Sequence, residues 1–184
     1  MNSLNERASK IKAVICDVDG VLTNGTINIS ATEEIFKSFN VKDGLGIKML
    51  MFNGIEVAIL TARSSSILST RMKELGVETI LQGQRNKLIG FQMLLKELNI
   101  TSDEVAYIGD DLPDLAVMKK VGLAACPNDA SSHIKRISHY ISSFDGGCGA
   151  VRDVVELLLH AQNKLEWTID RMFLNPQENS KHHY

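Results

Sequence analysis

The chain has 184 residues, a net charge of −2, 44% hydrophobic residues and 5% aromatics, which suits one domain with a sizeable core. This balance gives no reason to expect a nucleic-acid or membrane surface, and no apolar run approaches the roughly 18–20 residues that cross a bilayer. Met1 to Lys12 is polar without the apolar segment of a secretion signal, and Cys16, Cys126 and Cys148 have neither metal-ligand nor redox spacing, so a cytoplasmic protein with free thiols is expected.

Strand and helix signals alternate along the chain, as a doubly wound parallel α/β sheet requires. After a polar extension over residues 1–10, Ala13 to Cys16 is a short apolar run that predicts a buried strand. Thr23 to Phe39 breaks the alternation. Ile27 and Ile29, then Ile35, Phe36 and Phe39, flank the polar stretch Ser30 to Glu34, which predicts a β-hairpin flap (residues 23–40) standing away from the sheet. Asp43 is expected to cap a helix over Gly44 to Asn53. Val57 to Leu60 predicts the next sheet strand, followed by a helix from Ser64 or Ser65 that carries Ile67, Leu68, Met72 and Leu75 and ends at Gly76.

Thr79 to Leu81 predicts a strand, and Asn86 to Leu98 a helix with Ile89, Met93, Leu94 and Leu98 inward. Val105 to Ile108 predicts a strand, and Leu112 to Val121 a helix with Pro113 tolerated in its first turn. Short strands are expected at Leu123 to Cys126 and Tyr140 to Ser142, and a helix over Ala150 to Ala161. The domain is thus expected to run over residues 11–161. From Gln162 the pattern fades into a tail (residues 162–184), with Asn175 to Tyr184 expected to be disordered. Only about 40 residues separate the first acid pair from Thr61, and the hairpin uses much of that stretch, so no separate cap domain fits there.

Four polar clusters each follow one of these apolar runs: Asp17-Val18-Asp19-Gly20, Thr61-Ala62-Arg63, Gln84 to Lys87, and Gly109-Asp110-Asp111. In an open α/β sheet the carboxyl ends of neighbouring parallel strands converge on one crevice. Taken singly, an Asp-x-Asp is more often a turn, Thr61 a helix-start residue, Lys87 a solvated charge, and Asp110 with Asp111 a helix cap. Their joint placement at successive strand ends overturns those separate readings and makes a phosphate-handling set. Asp17 is ionised at neutral pH and needs no base to act as a nucleophile. Each like-charge pair it forms with a phosphate dianion costs on the order of 4 kcal/mol at about 4 Å and an effective dielectric of about 20. Mg²⁺ held by Asp17, Asp110 and a supporting Asp111, together with the Lys87 ammonium, would offset that repulsion. Asp19 can protonate a leaving alkoxide and then deprotonate water. Thr61 can donate a hydrogen bond to a transferring oxygen.

At these residues the chain resembles the haloacid dehalogenase-like phosphohydrolases. Asp17-Val18-Asp19-Gly20-Val21 matches their first motif, Thr61 the second, Lys87 the third, and Gly109-Asp110-Asp111 with Asp114 the fourth. Longer stretches, Asp17 to Gly25, Phe39 to Gly44, Gln82 to Lys87 and Gly146 to Arg152, resemble one capless subfamily, the 3-deoxy-D-manno-octulosonate 8-phosphate phosphatases of lipopolysaccharide precursor synthesis. The resemblance implies a Rossmann-like domain with a hairpin flap, assembled as a homotetramer. It also implies Asp17 as nucleophile and Mg²⁺ ligand, and Asp19 as acid/base that binds metal through its backbone carbonyl. Asp110 completes the protein ligands, Thr61 and Lys87 hold the phosphoryl group, and Asp114 supports the fourth motif. The sugar-acid phosphate would lie against Asp19, Asn40, Val41, Lys42, Asp43, Gly44, Lys48, Arg63, Arg71 and Lys87. Lys42 and Cys148 each stand where many members have Arg.

Three rival readings remain open on the sequence. A nonulosonic acid 9-phosphate phosphatase shares the scaffold and motifs. A signalling receiver places its phosphorylated Asp after a central strand, whereas the proposed nucleophile here is in the first pair. A non-catalytic phosphatase-like regulatory or oligomerisation domain would not need all four catalytic positions filled.

Overall fold

The structure, a computed structural model, describes residues 3–175. It opens on a short helix, α1 (Leu4–Ala8), with Ser3 and Glu6 closing a reciprocal capping box. The segment expected to be a polar extension is therefore attached to the domain. Ala8 and Ile11 are buried, Arg7 donates to the Gly122 carbonyl, and Gln162 donates to the carbonyls of Ala8 and Ile11.

The chain then alternates through β1 (Ala13–Cys16), β2 (Asn28–Ile29), β3 (Glu34–Phe36), α2 (Val41–Phe52), β4 (Glu56–Leu60), α3 (Ser66–Leu75), β5 (Thr79–Leu81), α4 (Lys87–Glu97) and β6 (Val105–Ile108). A 3-10 turn over Leu112–Asp114 leads into α5 (Leu115–Met118), followed by β7 (Leu123–Cys126), α6 (Ser132–Ile137), β8 (Tyr140–Ile141), α7 (Ala150–Ala161) and α8 (Leu165–Ile169). Six strands form one parallel sheet in the order β5-β4-β1-β6-β7-β8, while β2 and β3 pair antiparallel as a separate two-stranded ribbon. This is the α/β fold with a hairpin flap expected from the sequence.

The sheet is covered on both faces, so its central strands are wholly buried rather than alternating. Successive side chains still divide between the faces. Val14, Cys16, Val57, Ile59, Ala106 and Ile108 pack under α2 and α7, while Ala13, Ile15, Ala58, Leu60, Val105 and Tyr107 pack against α4, α5 and α6. The chain winds outward in both directions from β1 and β6, so their adjacent carboxyl ends form the topological switch point where such sheets bind ligands.

Several local expectations differ from the structure. Asn40, not Asp43, caps α2 by accepting the Lys42 N–H. Asp43 lies inside the first turn and is buried, its carboxylate accepting the N–H groups of Gly149 and Arg152 at the start of α7. Ile89 and Met93 are half exposed. The inward face of α4 is Lys87, Gly90, Phe91 and Leu94, which turns its first residue toward the site and Ile89 and Met93 outward. The helix expected over Leu112 to Val121 is reduced to the 3-10 turn and four α-helical residues. After a turn over residues 162–164 the chain is helical again, through α8 and a π-helical turn over Asp170–Leu174. The hydroxyl of Thr168 accepts from the Asn53 amide, which ties α8 to the end of α2. The expected disorder from Asn175 onward lies, from residue 176, outside the described residues.

Candidate active site

Parallel register sets β1 and β6 side by side, Cys16 opposite Ile108, and the Asp17 N–H bonds the Ile108 carbonyl at 3.0 Å. Asp17 and Asp110 therefore leave adjacent strand ends together. One carboxylate oxygen from each of Asp17, Asp110 and Asp114 lies within 4.8 Å of the other two. Gly20 makes this approach feasible. Its φ is +95°, and a Cβ there would stand 2.1 Å from an Asp110 carboxylate oxygen, so the turn after Asp19 tolerates no side chain.

Lys87, the first residue of α4, is 3% exposed and places its ammonium 2.7 Å from Asp17 Oδ2 and 2.7 Å from Asp114 Oδ1. Asp114 is held in turn by the Tyr107 hydroxyl at 2.6 Å and by the N–H groups of Asp110 and Asp111 at 3.2 and 3.4 Å. Both of its oxygens are thus engaged. Asp114 orients Lys87 and the Asp110 loop, which leaves Asp110 and, beside its Lys87 contact, Asp17 as the carboxylates able to take a cation.

Burial pushes the Asp17 carboxyl up to about 6, with Asp114 adding to the effect and Lys87 opposing it. Burial and then the charges of Asp17 and Asp114 push Asp110 up to about 7. Burial alone would lower Lys87, but the two carboxylates beside it more than reverse that and leave it firmly an ammonium. The site therefore holds more negative charge than one lysine compensates. Crowded hard oxygen donors of this kind fit a divalent cation such as Mg²⁺.

Asp19 points to the other wall. Its Oδ1 pairs with the Lys37 ammonium and its Oδ2 lies 3.6 Å from Arg63 Nε. Lys37 also meets Glu34 at 3.0 Å, and Glu34 accepts from the hydroxyl of Ser65, the N-cap of α3. Thr61 is buried at the end of β4, its hydroxyl 3.4 Å from the Arg63 N–H.

The remaining residues expected at the substrate fall into a second group. Asn40, Asp43, Gly44 and Arg71 line a small cavity with Leu22 and Phe39. Arg71 pairs with Glu74 at 2.8 Å, and its guanidinium passes so close to Gly44 that a Cβ there would lie 2.5 Å from it. Lys48 is half-buried one turn beyond Gly44, while Val41 and Lys42 are exposed at the start of α2. The Asp43 carboxylate, though at the cavity wall, is committed to the N–H groups of Gly149 and Arg152. Asn40 also donates to the Gly147 carbonyl, linking this wall to the glycine-rich loop that carries Cys148.

Lys37, Glu34 and Tyr107 were not singled out from the sequence. Lys37 and Glu34 read as ordinary hairpin charges, and nothing in their spacing signals burial. The tyrosine hydroxyl in an otherwise apolar β6 run was the one legible signal, since a buried hydroxyl needs a partner.

A buried carboxylate, a second carboxylate at the neighbouring strand end, and a buried ammonium at the switch point fit a haloacid dehalogenase-like hydrolase. A model of that family matches residues 77–152. Over 161 residues the chain is 45% identical to the 3-deoxy-D-manno-octulosonate 8-phosphate phosphatase KdsC of Yersinia pestis, covering 88% of this chain and 86% of that protein. It is 46% identical over 160 residues to KdsC of Escherichia coli K12, covering 87% and 85%. The crystal structure of the Moraxella catarrhalis phosphatase, in complex with a magnesium ion, a phosphate ion and KDO, superposes with a TM-score of 0.88 at 42% identity over 92% of this chain and 97% of that one. The chain belongs to the 3-deoxy-D-manno-octulosonate 8-phosphate phosphatase family, and it is a phosphoric monoester hydrolase.

Proposed function

We propose that the protein hydrolyses 3-deoxy-D-manno-octulosonate 8-phosphate to the free sugar acid and phosphate, in lipopolysaccharide precursor synthesis, through an aspartyl-phosphate on Asp17. The observation that carries this reading is the convergence of Asp17, Asp110 and Lys87 at one strand-end crevice, in a chain 45–46% identical to phosphatases of that name. Asp17 and Asp110, with the Asp19 backbone carbonyl, would hold Mg²⁺. When bound, the ion supplies positive charge to the phosphoryl oxygens and to the two carboxylates.

Asp17 attacks phosphorus in line with the ester oxygen. Lys87 offsets the charge between nucleophile and phosphate, and Thr61 donates to a phosphoryl oxygen. Asp19 gives its proton to the departing sugar oxygen, then takes one from the water that cleaves the aspartyl-phosphate. Arg63, beside Asp19, and the cavity wall carrying Arg71 suit an anionic sugar acid. A homotetramer in the cytoplasm completes the reading. The assembly is supported by the flap, where Ile29, Ile35 and Phe36 are 63%, 58% and 51% exposed with no covering apolar face among the described residues.

A panel of sugar-acid phosphates assayed with and without Mg²⁺ tests the substrate assignment. Turnover should be greatest on the octulosonate 8-phosphate and should vanish on chelation. Greater turnover on a nonulosonate 9-phosphate would reassign the substrate, and activity unchanged by chelation would overturn the mechanism.

A further inference from the structure

We propose that Lys37, the residue just past the flap strand β3, is the positioning residue for Asp19, fixing which carboxylate oxygen carries the transferred proton. This inference rests on the reaction proposed above and adds a role for a residue outside the four strand-end clusters. Asp19 sits three residues past the end of β1, where the chain turns at Gly20. Nothing in β1 fixes its side chain. Among the described residues, the cations on its carboxylate are Lys37 on Oδ1 and Arg63 on Oδ2.

The two contacts differ in kind. The Lys37 side chain is 2% exposed and makes a close hydrogen bond, whereas Arg63 is 48% exposed and stands off at 3.6 Å. A lysine at the end of a two-stranded exposed ribbon would ordinarily reach into water. Burying it between Asp19 and Glu34 carries a desolvation cost that only close partners on both sides offset.

An ammonium has three donors and no acceptor. With Lys37 on Oδ1, a proton on Asp19 must reside on Oδ2, the oxygen facing the more open Arg63 side. There it can pass to the ester oxygen as the phosphorus–oxygen bond breaks and the phosphoryl group moves to Asp17. In the second half of the cycle the same Oδ2 receives a proton from water as water attacks the aspartyl-phosphate. Glu34 holds the far side of Lys37 and is itself bonded by Ser65, the cap of α3. The flap therefore transmits the position of the α3 N-terminus to the proton-transfer group. A residue that merely pinned the flap would have no reason to select one oxygen of Asp19.

The test compares kcat/KM on two aryl phosphates of different leaving-group basicity, phenyl phosphate and p-nitrophenyl phosphate, with the octulosonate 8-phosphate alongside. General acid assistance matters when the leaving oxygen is basic and little when it is not. Lys37→Met should lower kcat/KM about 10²-fold on phenyl phosphate and on the sugar phosphate, but less than about threefold on p-nitrophenyl phosphate. In the Asp19→Asn background Lys37→Met should add less than about threefold on any substrate, because both changes remove one function. Lys37→Gln, which keeps a donor at that place, should show the same leaving-group dependence at smaller size, and it carries the test if the Met variant does not fold. Equal losses on both aryl phosphates, or losses that multiply with Asp19→Asn, would overturn the proposal. Wild-type failure on the octulosonate phosphate alone would count against the substrate assignment and leave the aryl-phosphate comparison of Lys37 standing.

Discussion

At the scale of single residues the site is an electrostatic balance tilted toward negative charge. Lys87 is the one buried ammonium between Asp17 and Asp114, and both carboxylates depend on it. Lys87→Met should abolish activity and destabilise the fold by about 3–5 kcal/mol at pH 8, since breaking a buried ion pair leaves its partners uncompensated. Urea unfolding at pH 8 and pH 5 checks this. The loss should shrink at pH 5, where the orphaned carboxyls can take protons, and an equal loss at both pH values would contradict the account. The residues at this scale that the sequence made legible were those whose position follows from strand ends: Asp17, Thr61, Lys87 and Asp110. Lys37 was not legible, because its burial depends on how the flap folds back over Asp19, and no periodicity in the chain encodes that.

Among the elements, the sheet strands and α7 could be read directly, since their apolar runs and helical spacing state their burial. The departures have physical causes. Ile89 and Met93 sit at helical spacing yet face outward, because α4 turns Lys87 inward and Gly90 and Phe91 follow it. Asp43 reads as a helix cap, but Asn40 precedes it with the extended backbone a cap needs, and the carboxylate serves α7 from across the core. The segment past Gln162 lacks a long amphipathic pattern and is ordered by tertiary contacts, such as the tilted ring pair of Phe52 and Trp167.

The β1 turn offers a test at this scale. Gly20→Ala would place a methyl 2.1 Å from the Asp110 carboxylate on a backbone with φ +95°. It should push the Asp110 carboxylate away from Asp17 and weaken Mg²⁺ binding at least about tenfold by calorimetry, since the strained backbone and the displaced ligand together cost roughly 1–3 kcal/mol. Unchanged affinity would show that the turn has more room than the structure gives it.

For the whole molecule, the crowded carboxylates link proton binding, metal binding and stability. The folded state holds the protons of Asp17 and Asp110, at about 6 and about 7, more tightly than the unfolded chain does near 3.8. Metal-free stability should therefore fall as pH rises from about 4 through about 7. A cation that neutralises the same carboxylates should raise Tm more at pH 8 than at pH 5.5. Thermal melts with and without Mg²⁺ at the two pH values read this out, and a rise that is larger at pH 5.5 would contradict it. The exposed apolar flap predicts self-association, and the proposed tetramer should appear by light scattering at micromolar concentration. A fully active monomer would contradict that assembly.

The central claim is that Asp17 becomes a covalent phosphoryl carrier. Its most direct measurement is peptide mass spectrometry of enzyme mixed with octulosonate 8-phosphate and Mg²⁺ and quenched in acid within one turnover. The account predicts one phosphoryl group on the peptide containing Asp17, absent from Asp17→Asn. Phosphate release at the wild-type rate with no phosphoryl group on that peptide, or undiminished turnover by Asp17→Asn, would contradict it.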